Sequence, residues 1–243
     1  MTQGFCHDTV HIVRVNLDTW PADPSALSDA ERERADRFVF DDDRRRYVAV
    51  HSAMREALGR CVGQPAAALR FSSGPRGKPK LAANSAVRFN LSHAAERAVL
   101  ALALGREVGV DIEAERPIDA VSVAERFFSP AERAALLDIA PDDRIAAFYR
   151  GWTRKESFIK ATGDGLAYPL DAFDVSLDRS GPQLLLACRA NPGNVERWRV
   201  VTLAGEMGYA CALTVEGSDW RLVDWDSVEA FMAAAGGTAA SPE

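Results

Sequence analysis

The order of predicted secondary-structure elements repeats after about 100 residues, and this repeat limits the possible folds more than any other feature of the chain. A helix over 46–62, a hairpin region over 69–82 and a strand pair over 87–104 are followed by a helix over 145–163, a hairpin over 173–188 and a strand pair over 197–215. Alternating apolar and β-branched residues indicate the strands, and Gly63 and Gly163 end the two helices. We therefore predict an α+β fold, a pseudo-dimer of two similar α/β lobes facing each other, with the active site in the cleft between them.

The repeat also predicts the domain boundaries. The N-terminal lobe is expected over 1–105 and the C-terminal lobe over 106–220, with a break near residues 105 to 110. Residues 221–243 are expected to form a C-terminal extension. Its end, AAAGGTAASPE, is small and polar, which is typical of a disordered tail.

Composition and charge favour a small anionic ligand over a macromolecular polyanion. The chain has 243 residues and a net charge of −6, so its overall field does not favour nucleic acid, whereas ERERADRF and DDDRRRY concentrate arginines locally. The N-terminus lacks the pattern of a signal peptide, and no apolar run approaches the ~20 residues that cross a bilayer. The four cysteines form no CxxC pair, which indicates thiols in a reducing cytosol. We expect a cytoplasmic protein that binds neither nucleic acid nor membrane.

Asp111 and Glu113 are the first candidate site residues. They are two apart on a predicted strand, so their carboxylates project from one face while Ile112 points into the core. Two neighbouring carboxylates repel each other, and a hard dication such as Mg²⁺ or Ca²⁺ would offset that repulsion with all-oxygen ligation. The alternative is a strand end with two solvated acids.

The second long predicted helix adds Glu156 and two lysines. Glu156 and Lys160 are four residues apart, the spacing of an ordinary surface ion pair. Lys155 instead shares the apolar stripe of Trp152 and Ile159, so it either snorkels along the core or points into a cleft. Arg154 is expected to lie on the solvated face.

Two polar stretches in the first half are further candidates. In FNLSHAAE, a turn from Asn90 to Ala95 carries Ser92 and His93; a structural histidine is the alternative. GPRGKPK is a turn with three cations, including Lys78, and its alternative is a solvated turn.

Together and in order, these stretches resemble the 4′-phosphopantetheinyl transferases, specifically the larger, two-lobed Sfp-type group. The matching segments are RFSSGPRGKPKL, FNLSHAAERAVLALA, GVDIEAERPI, RFFSPAE, WTRKESFIKATGDGL and PLDAFDV, which lie between about residues 28 and 175. The resemblance implies an enzyme that moves the phosphopantetheine arm of coenzyme A onto a serine of an apo acyl or peptidyl carrier protein, releasing adenosine 3′,5′-bisphosphate. It further implies coenzyme A bound in the cleft and a chain that acts as a monomer.

The resemblance also implies roles for the second-half residues. Asp111, Glu113 and Glu156 correspond to the Mg²⁺ ligands, and Glu156 is also the candidate general base, directly or through a metal-bound water. Lys155 corresponds to a residue at the leaving phosphate, and Lys160 to a phosphate contact. Ile112 stands between the two acids, where some relatives carry a ligating side chain, so a water is expected to take that place.

In the first half, Ser92, His93 and Lys78 correspond to contacts with the nucleotide phosphates. Arg46, and also Arg34, where relatives may carry lysine, correspond to contacts with the 3′-phosphate, which a guanidinium can bind through two hydrogen bonds.

Residues 115–136 are the candidate carrier-protein surface by resemblance, with apolar Val121, Phe127 and Phe128 alternating with arginines; plain core packing is the alternative. Two other functions stay open: a Mg²⁺-dependent phosphohydrolase of nucleotides or coenzyme A, and a non-catalytic module that binds carrier proteins or nucleotides.

Overall fold

The computed structural model describes residues 5–82, 85–181 and 183–235. The helices are α1 (Asp29–Ala35), α2 (Asp41–Val62), α3 (Ala120–Phe127), α4 (Pro130–Asp138), α5 (Arg144–Thr162), α6 (Asn194–Arg197) and α7 (Val228–Ala235). The strands are β1 (Thr9–Asn16), β2 (Phe71–Ser73), β3 (Pro79–Leu81), β4 (Val87–Ala94), β5 (Arg97–Leu104), β6 (Val108–Ala114), β7 (Phe173–Val175), β8 (Leu185–Cys188), β9 (Trp198–Thr202), β10 (Tyr209–Glu216) and β11 (Arg221–Trp225).

The chain forms two compact units that do not follow one sequence boundary. The first unit contains Met1–Ser72, Pro79–Gly105 and Trp220–Glu243, and the second contains Ser73–Lys78 and Arg106–Asp219. The segment expected to be a C-terminal extension therefore contributes β11 and α7 to the first unit. Of the tail predicted to be disordered, the first three residues end α7, and 236–243 lie outside the described residues.

The first unit is built on a four-stranded sheet of order β11-β1-β5-β4. β1 is antiparallel to β5, with Val13 opposite Leu100, and parallel to β11. The apolar face of α2 covers this sheet, and Val13, Ala53 and Leu102 belong to the same core cluster. α2 begins with three aspartates, whose charge favours a helix N-terminus, and ends at Gly63 in the left-handed region at φ 68°.

The second unit repeats that architecture. Its main sheet has the order β6-β10-β9, with β10 antiparallel to both neighbours, and α5 packs against β6 and β10. The first unit contains the equivalent order β1-β5-β4. In both sheets an early strand pairs with the second strand of a later hairpin, and that second strand pairs with the first strand of the same hairpin. The predicted α+β class and the two similar α/β halves are thus confirmed.

One local prediction in the first unit is wrong. Residues 90–94, expected to form a turn, continue strand β4, with Asn90 opposite Ala101 and Ser92 opposite Val99. The chain reverses one residue after β4, at Ala95 and Glu96, and Ala95 has φ 50°. The polar side chains of FNLSH therefore alternate along a strand, because asparagine and serine can pair their backbones in a ladder as well as in a turn.

All four cysteines lie in the described part of the chain and carry free thiols. Among the helices described, none is both long and apolar enough to cross a membrane.

Candidate active site

Gly109 allows α5 to lie unusually close to β6. A Cβ atom at this position would lie 2.1 Å from the carbonyl oxygen of Ser157 and 2.3 Å from the backbone nitrogen of Ala161. Only a glycine permits such an approach, because the helix backbone fills the space of any side chain. Strand alternation then directs Asp111 and Glu113 toward the same side as Gly109, so the two acids lie beside α5.

Between residues 152 and 160, the accessible side chains of α5 form a narrow stripe beside these acids. Trp152, Glu156 and Lys160 are partly exposed, whereas 153–155 and 157–159 are buried. The spacing of four residues places all three on one helix face. The Lys160 Nζ lies 2.5 Å from Oδ1 of Asp111, and the Trp152 side chain is near enough to Glu113 to lower its pKa against the other influences.

Three carboxylates share this place with a single lysine. Burial, and then the negative charge of Asp111, raises the pKa of Glu113. Burial raises the pKa of Glu156 as well, again with Asp111 as the next cause, and Glu113 adds to it. Lys160 opposes both shifts. The three predicted acids are therefore electrostatically coupled, and their negative charge exceeds what one ammonium neutralises.

The donor chemistry of the cluster fits a hard dication, because every candidate ligand is a carboxylate oxygen. In the part of the chain that the structure describes, however, no three His, Cys, Asp or Glu side chains have the arrangement of a metal site. The side-chain positions are those of an acid cluster in which Lys160 pairs with Asp111. The metal-ligand roles of Asp111, Glu113 and Glu156 thus stay a prediction.

Ile112 lies on the opposite face of β6 from the two acids. It is buried at 5% exposure and pairs with Cys211 on β10. The core position predicted for it is confirmed.

Lys155 does not lie where the sequence analysis expected it. Its side chain is fully buried, and its Nζ lies 2.8 Å from Oε1 of Glu132. It also donates hydrogen bonds of 2.7 Å to the carbonyl of Leu170 and 2.8 Å to that of Phe173. An ammonium has three N–H donors, and these partners use all three. The placement of Lys155 at a leaving phosphate is therefore corrected: it is buried in the core of the second unit.

Arg154 is likewise not on a solvated face. Its side chain is fully buried and donates to the carbonyls of Ser176 and Asp178 and to Oγ1 of Thr202. Burial lowers its pKa to about 10. Both corrections have the same cause: the β7 region and the sheet cover α5 on several sides, which periodicity along a single helix does not reveal.

Lys78 is held at the C-terminal end of α5. Its Nζ donates to Glu107 at 2.7 Å and to the carbonyls of Val108 and Ala161 at 2.9 and 3.0 Å. The neighbouring Arg76 donates to the carbonyl of Asp164. The GPRGKPK turn therefore ties the start of β6 to the end of α5, and the phosphate contact expected of Lys78 stays a prediction.

The predicted contacts in the first unit lie at its surface or just below it. Ser92 is buried on β4 and His93, next to it, is exposed. Arg46 forms hydrogen bonds of 2.9 and 3.2 Å to Asp18, which also accepts one of 2.7 Å from Arg45. These hydrogen bonds lower the pKa of Asp18 to about 2.

Arg34 is exposed, and its guanidinium lies 5.6 Å from the centre of the Tyr47 ring. It lines an open surface pocket with Arg37 and Phe38.

Residues 115–136 divide between core and surface. Phe128 is buried and stacks on Phe148, with 5.2 Å between ring centres, so it belongs to the core. Phe127 is 38% exposed, and Arg126 lies over its ring. Between α3 and α4 lies a groove of about 310 Å³, lined by Val121, Ala124, Glu125, Pro130, Arg133, Ala134, Leu136 and Leu137.

Sequence reasoning missed two residues that shape the site. Gly109 lies in GVDIE, and an isolated glycine inside a strand is a signal for close backbone approach. Glu132 lies three residues after Ser129, the spacing of a capping box, but its second role as the partner of Lys155 has no local sequence signal because the two are far apart in the chain.

Comparisons with known proteins identify the family of the chain. The model of the 4′-phosphopantetheinyl transferase superfamily matches residues 107–214, and a model of the N-terminal part of such a transferase matches residues 16–104. The 4′-phosphopantetheinyl transferase HetI of Nostoc sp. is 34% identical over 226 residues, which cover 90% of this chain and 92% of HetI. Sfp of Bacillus subtilis is 35% identical over 157 residues, 65% of this chain and 69% of Sfp.

Among solved structures, holo-[acyl-carrier-protein] synthase of Thermotoga maritima aligns with a TM-score of 0.36 and 22% identity, covering 46% of this chain and 63% of that chain. The sequence identity to HetI over most of both chains shows that this chain belongs to the 4′-phosphopantetheinyl transferase superfamily. Its similarity to HetI and Sfp assigns it to the Sfp-type group within that superfamily.

Proposed function

We propose that this protein transfers the 4′-phosphopantetheine arm of coenzyme A to a serine hydroxyl of an apo acyl or peptidyl carrier protein and releases adenosine 3′,5′-bisphosphate. The observation that supports it best is the coupled acid cluster of Asp111, Glu113 and Glu156 beside Lys160, in a chain of this family. Such a cluster suits a reaction at a diphosphate, because it combines a base, oxygen ligands and one cation.

Glu156 is the proposed general base. It lies on the partly open stripe of α5, so a hydroxyl can approach it, and it would accept the proton of the serine hydroxyl directly or through a metal-bound water. Transfer of the serine proton to Glu156 would then accompany attack of the serine oxygen on the phosphorus that carries the arm, while the bond from that phosphorus to the bridging oxygen breaks and adenosine 3′,5′-bisphosphate leaves with the electron pair.

The cluster is also the proposed Mg²⁺ site. Asp111, Glu113 and Glu156 would hold the ion, and a bound Mg²⁺ supplies positive charge to the diphosphate oxygens. Lys160, with 29% of its side chain exposed, is the proposed phosphate contact from this unit.

Arg46, Arg34, Ser92 and His93 remain the proposed nucleotide contacts. Two guanidiniums, Arg45 and Arg46, share the single carboxylate of Asp18. Each guanidinium offers paired N–H donors, which suits the dianionic 3′-phosphate of coenzyme A.

The α3–α4 groove is the proposed carrier-protein surface. It combines apolar lining with Arg133, and Phe127 and Arg126 are exposed next to it. Carrier proteins that are acidic around their serine would find both apolar and positive partners there. We further propose that the protein acts as a monomer in the reducing cytosol, where its four free thiols stay reduced.

One experiment tests the activity. The protein is mixed with coenzyme A, Mg²⁺ and several apo carrier proteins, and intact carrier masses are measured. A gain equal to one phosphopantetheine arm on the carrier serine supports the transferase. Release of free phosphopantetheine without a carrier would identify a hydrolase instead. Binding of carriers with neither product would identify a non-catalytic module.

A further inference from the structure

Lys155 belongs to a buried cluster that ties three parts of the second unit together. Glu132, in the capping box of α4, accepts a hydrogen bond from the backbone nitrogen of Ser129 at 2.9 Å and one from that of Val175 at 2.7 Å. The same carboxylate pairs with Lys155 of α5 at 2.8 Å. The ammonium also lies 4.3 Å from the centre of the Phe173 ring. One ion pair thus connects α4, α5 and β7.

The first unit contains the same arrangement. Glu31, in the capping box of α1, accepts from the backbone nitrogen of Ser28 at 2.8 Å and pairs with the Nε of Arg55 on α2 at 2.7 Å. Arg55 is 2% exposed and donates to the carbonyl of Ala66 at 2.8 Å. Its guanidinium lies 5.0 Å from the centre of the Phe71 ring.

The two clusters match part by part. Each has a capping-box glutamate, a buried cation on the long helix, carbonyl acceptors in the segment after that helix, and a phenylalanine on the next strand. The matching residues are about 100 positions apart, which is the period of the repeat. Arg55 is therefore the counterpart of Lys155, and the contacts of Arg55 fix the position of α2.

We infer that the Glu132–Lys155 pair is a positioning device that fixes the rotation of α5 and so aims the carboxylate of Glu156 at the acids of β6. This inference rests on the proposed function, because it assigns a role in that reaction. Lys155 immediately precedes Glu156, and its three bonds prevent the helix from turning about its axis. A misplacement of about 1 Å in a catalytic group can lower the rate ~100-fold, so a small rotation would suffice.

The counterpart pair has no acids to aim. The strand face under α2 carries Val13 and Val15, which lie in the apolar core of the first unit. The Glu31–Arg55 pair therefore offers a matched control: its loss removes the same kind of buried ion pair without disturbing Glu156.

The test compares five variants with the wild type for transfer kinetics and thermal unfolding: Lys155→Arg, Lys155→Met, Glu132→Gln, the double variant Glu132→Gln/Lys155→Met, and Arg55→Met. Lys155→Met and Glu132→Gln are expected to lower kcat about 100-fold while the KM for coenzyme A changes less than about threefold. Arg55→Met is expected to lower the Tm with little change in kcat.

Two variants separate positioning from direct chemistry. Arg55 shows that a guanidinium fits this set of partners, so Lys155→Arg is expected to keep kcat within about fivefold of the wild type. Because arginine cannot donate a proton at neutral pH, a lysine that protonated the leaving phosphate would lose its activity in this variant. The double variant leaves no unpaired buried charge and should recover at least about tenfold in kcat over Lys155→Met.

If the wild type is active and Lys155→Arg folds but is inactive, the positioning role is wrong and the proposed function still stands. An unchanged kcat in Glu132→Gln would overturn it as well, even if Lys155→Met failed to fold. A wild type that modified no carrier would overturn the proposed function itself.

Discussion

Replacement of Gly109 by alanine should separate α5 from β6 and disable the site without altering any acid. The added Cβ would meet three backbone atoms of the helix: the Ser157 carbonyl oxygen at 2.1 Å, the Ala161 nitrogen at 2.3 Å and the Ala161 Cα at 2.8 Å. Backbone atoms in a packed helix cannot rotate aside as a side chain can. The helix must therefore move outward by roughly 1 Å to restore ordinary van der Waals contact.

The size of the effect follows from this displacement. Overpacking in a core destabilises by about 1–3 kcal/mol, and a contact with rigid backbone belongs at the upper end of that range. Glu156 and Lys160 would move away from Asp111 with the helix, and a shift of about 1 Å corresponds to a loss of ~100-fold in kcat. We expect both effects, measured by chemical denaturation and by carrier modification under saturating coenzyme A.

Gly193→Ala is the matched control in the same unit. Gly193 has φ −63° and ψ −13°, and an added Cβ would only touch the Asn191 side chain at 3.5 Å, so alanine fits there without strain. If Gly109→Ala retained both the stability and the kcat of Gly193→Ala, the close helix–strand approach would not set the site geometry, and the reasoning would fail.

Three further predictions concern the acids, the metal and a buried histidine. Glu156→Gln should lower kcat by ~10²–10⁴-fold yet leave the Kd for coenzyme A, measured by calorimetry, nearly unchanged; near-normal turnover would remove Glu156 as the base. EDTA should stop carrier modification, and added Mg²⁺ should restore it; activity that persisted in EDTA would remove the metal from the reaction. His11, 1% exposed, should make the free energy of unfolding fall by roughly 3 kcal/mol as the pH falls from 6.5 to 4, and His11→Phe should abolish that dependence in denaturant titrations.

The direction of the His11 effect follows from its surroundings. The Trp225 indole donates a 3.0 Å hydrogen bond to Nδ1, so the ring is neutral, and the rings of Phe5 and Phe231 enclose it. Burial, and then the charge of Arg221, lowers its pKa from 6.5 to about 4. The unfolded chain therefore binds more protons between these values. Stability is complete above pH 6.5 and decreases until about pH 4, below which this group adds no further change.

The sequence predicted the repeated elements because each carries its own local signal. The helix expected over 46–62 is α2, extended to Asp41, and the helix expected over 145–163 is α5, which ends one residue earlier. Ser28 and Ser129 both form the capping boxes that their spacing from a glutamate predicts. In contrast, the role of β11 depends on pairing with β1 from the other end of the chain, which no local pattern specifies.

The sequence predicted those parts of the candidate site in which the spacing of residues alone determines that they share one face of a strand or helix. The two-residue spacing of Asp111 and Glu113 and the four-residue spacing of Glu156 and Lys160 needed only the strand and helix periods. Lys155 and Arg154 were misplaced because their surroundings come from distant segments, namely Glu132 for one and Ser176 for the other. A charged residue on an apolar stripe signals an unusual environment, and the tertiary fold decides whether that environment is a cleft or a buried ion pair.

Among the described residues, the two units differ in which side chains lie beside the long helix. Both units keep the glutamate–cation pair that fixes the long helix, so that pair belongs to the shared scaffold. Asp111 and Glu113 lie beside the long helix in one unit, whereas Val13 and Val15 fill the core under the long helix in the other. Valines in such a position stabilise the fold by burial, whereas clustered carboxylates destabilise it through lost solvation and mutual repulsion. In the described residues the second unit therefore carries the destabilising arrangement and the first unit the stabilising one, which is the pattern expected if the acids serve the proposed reaction.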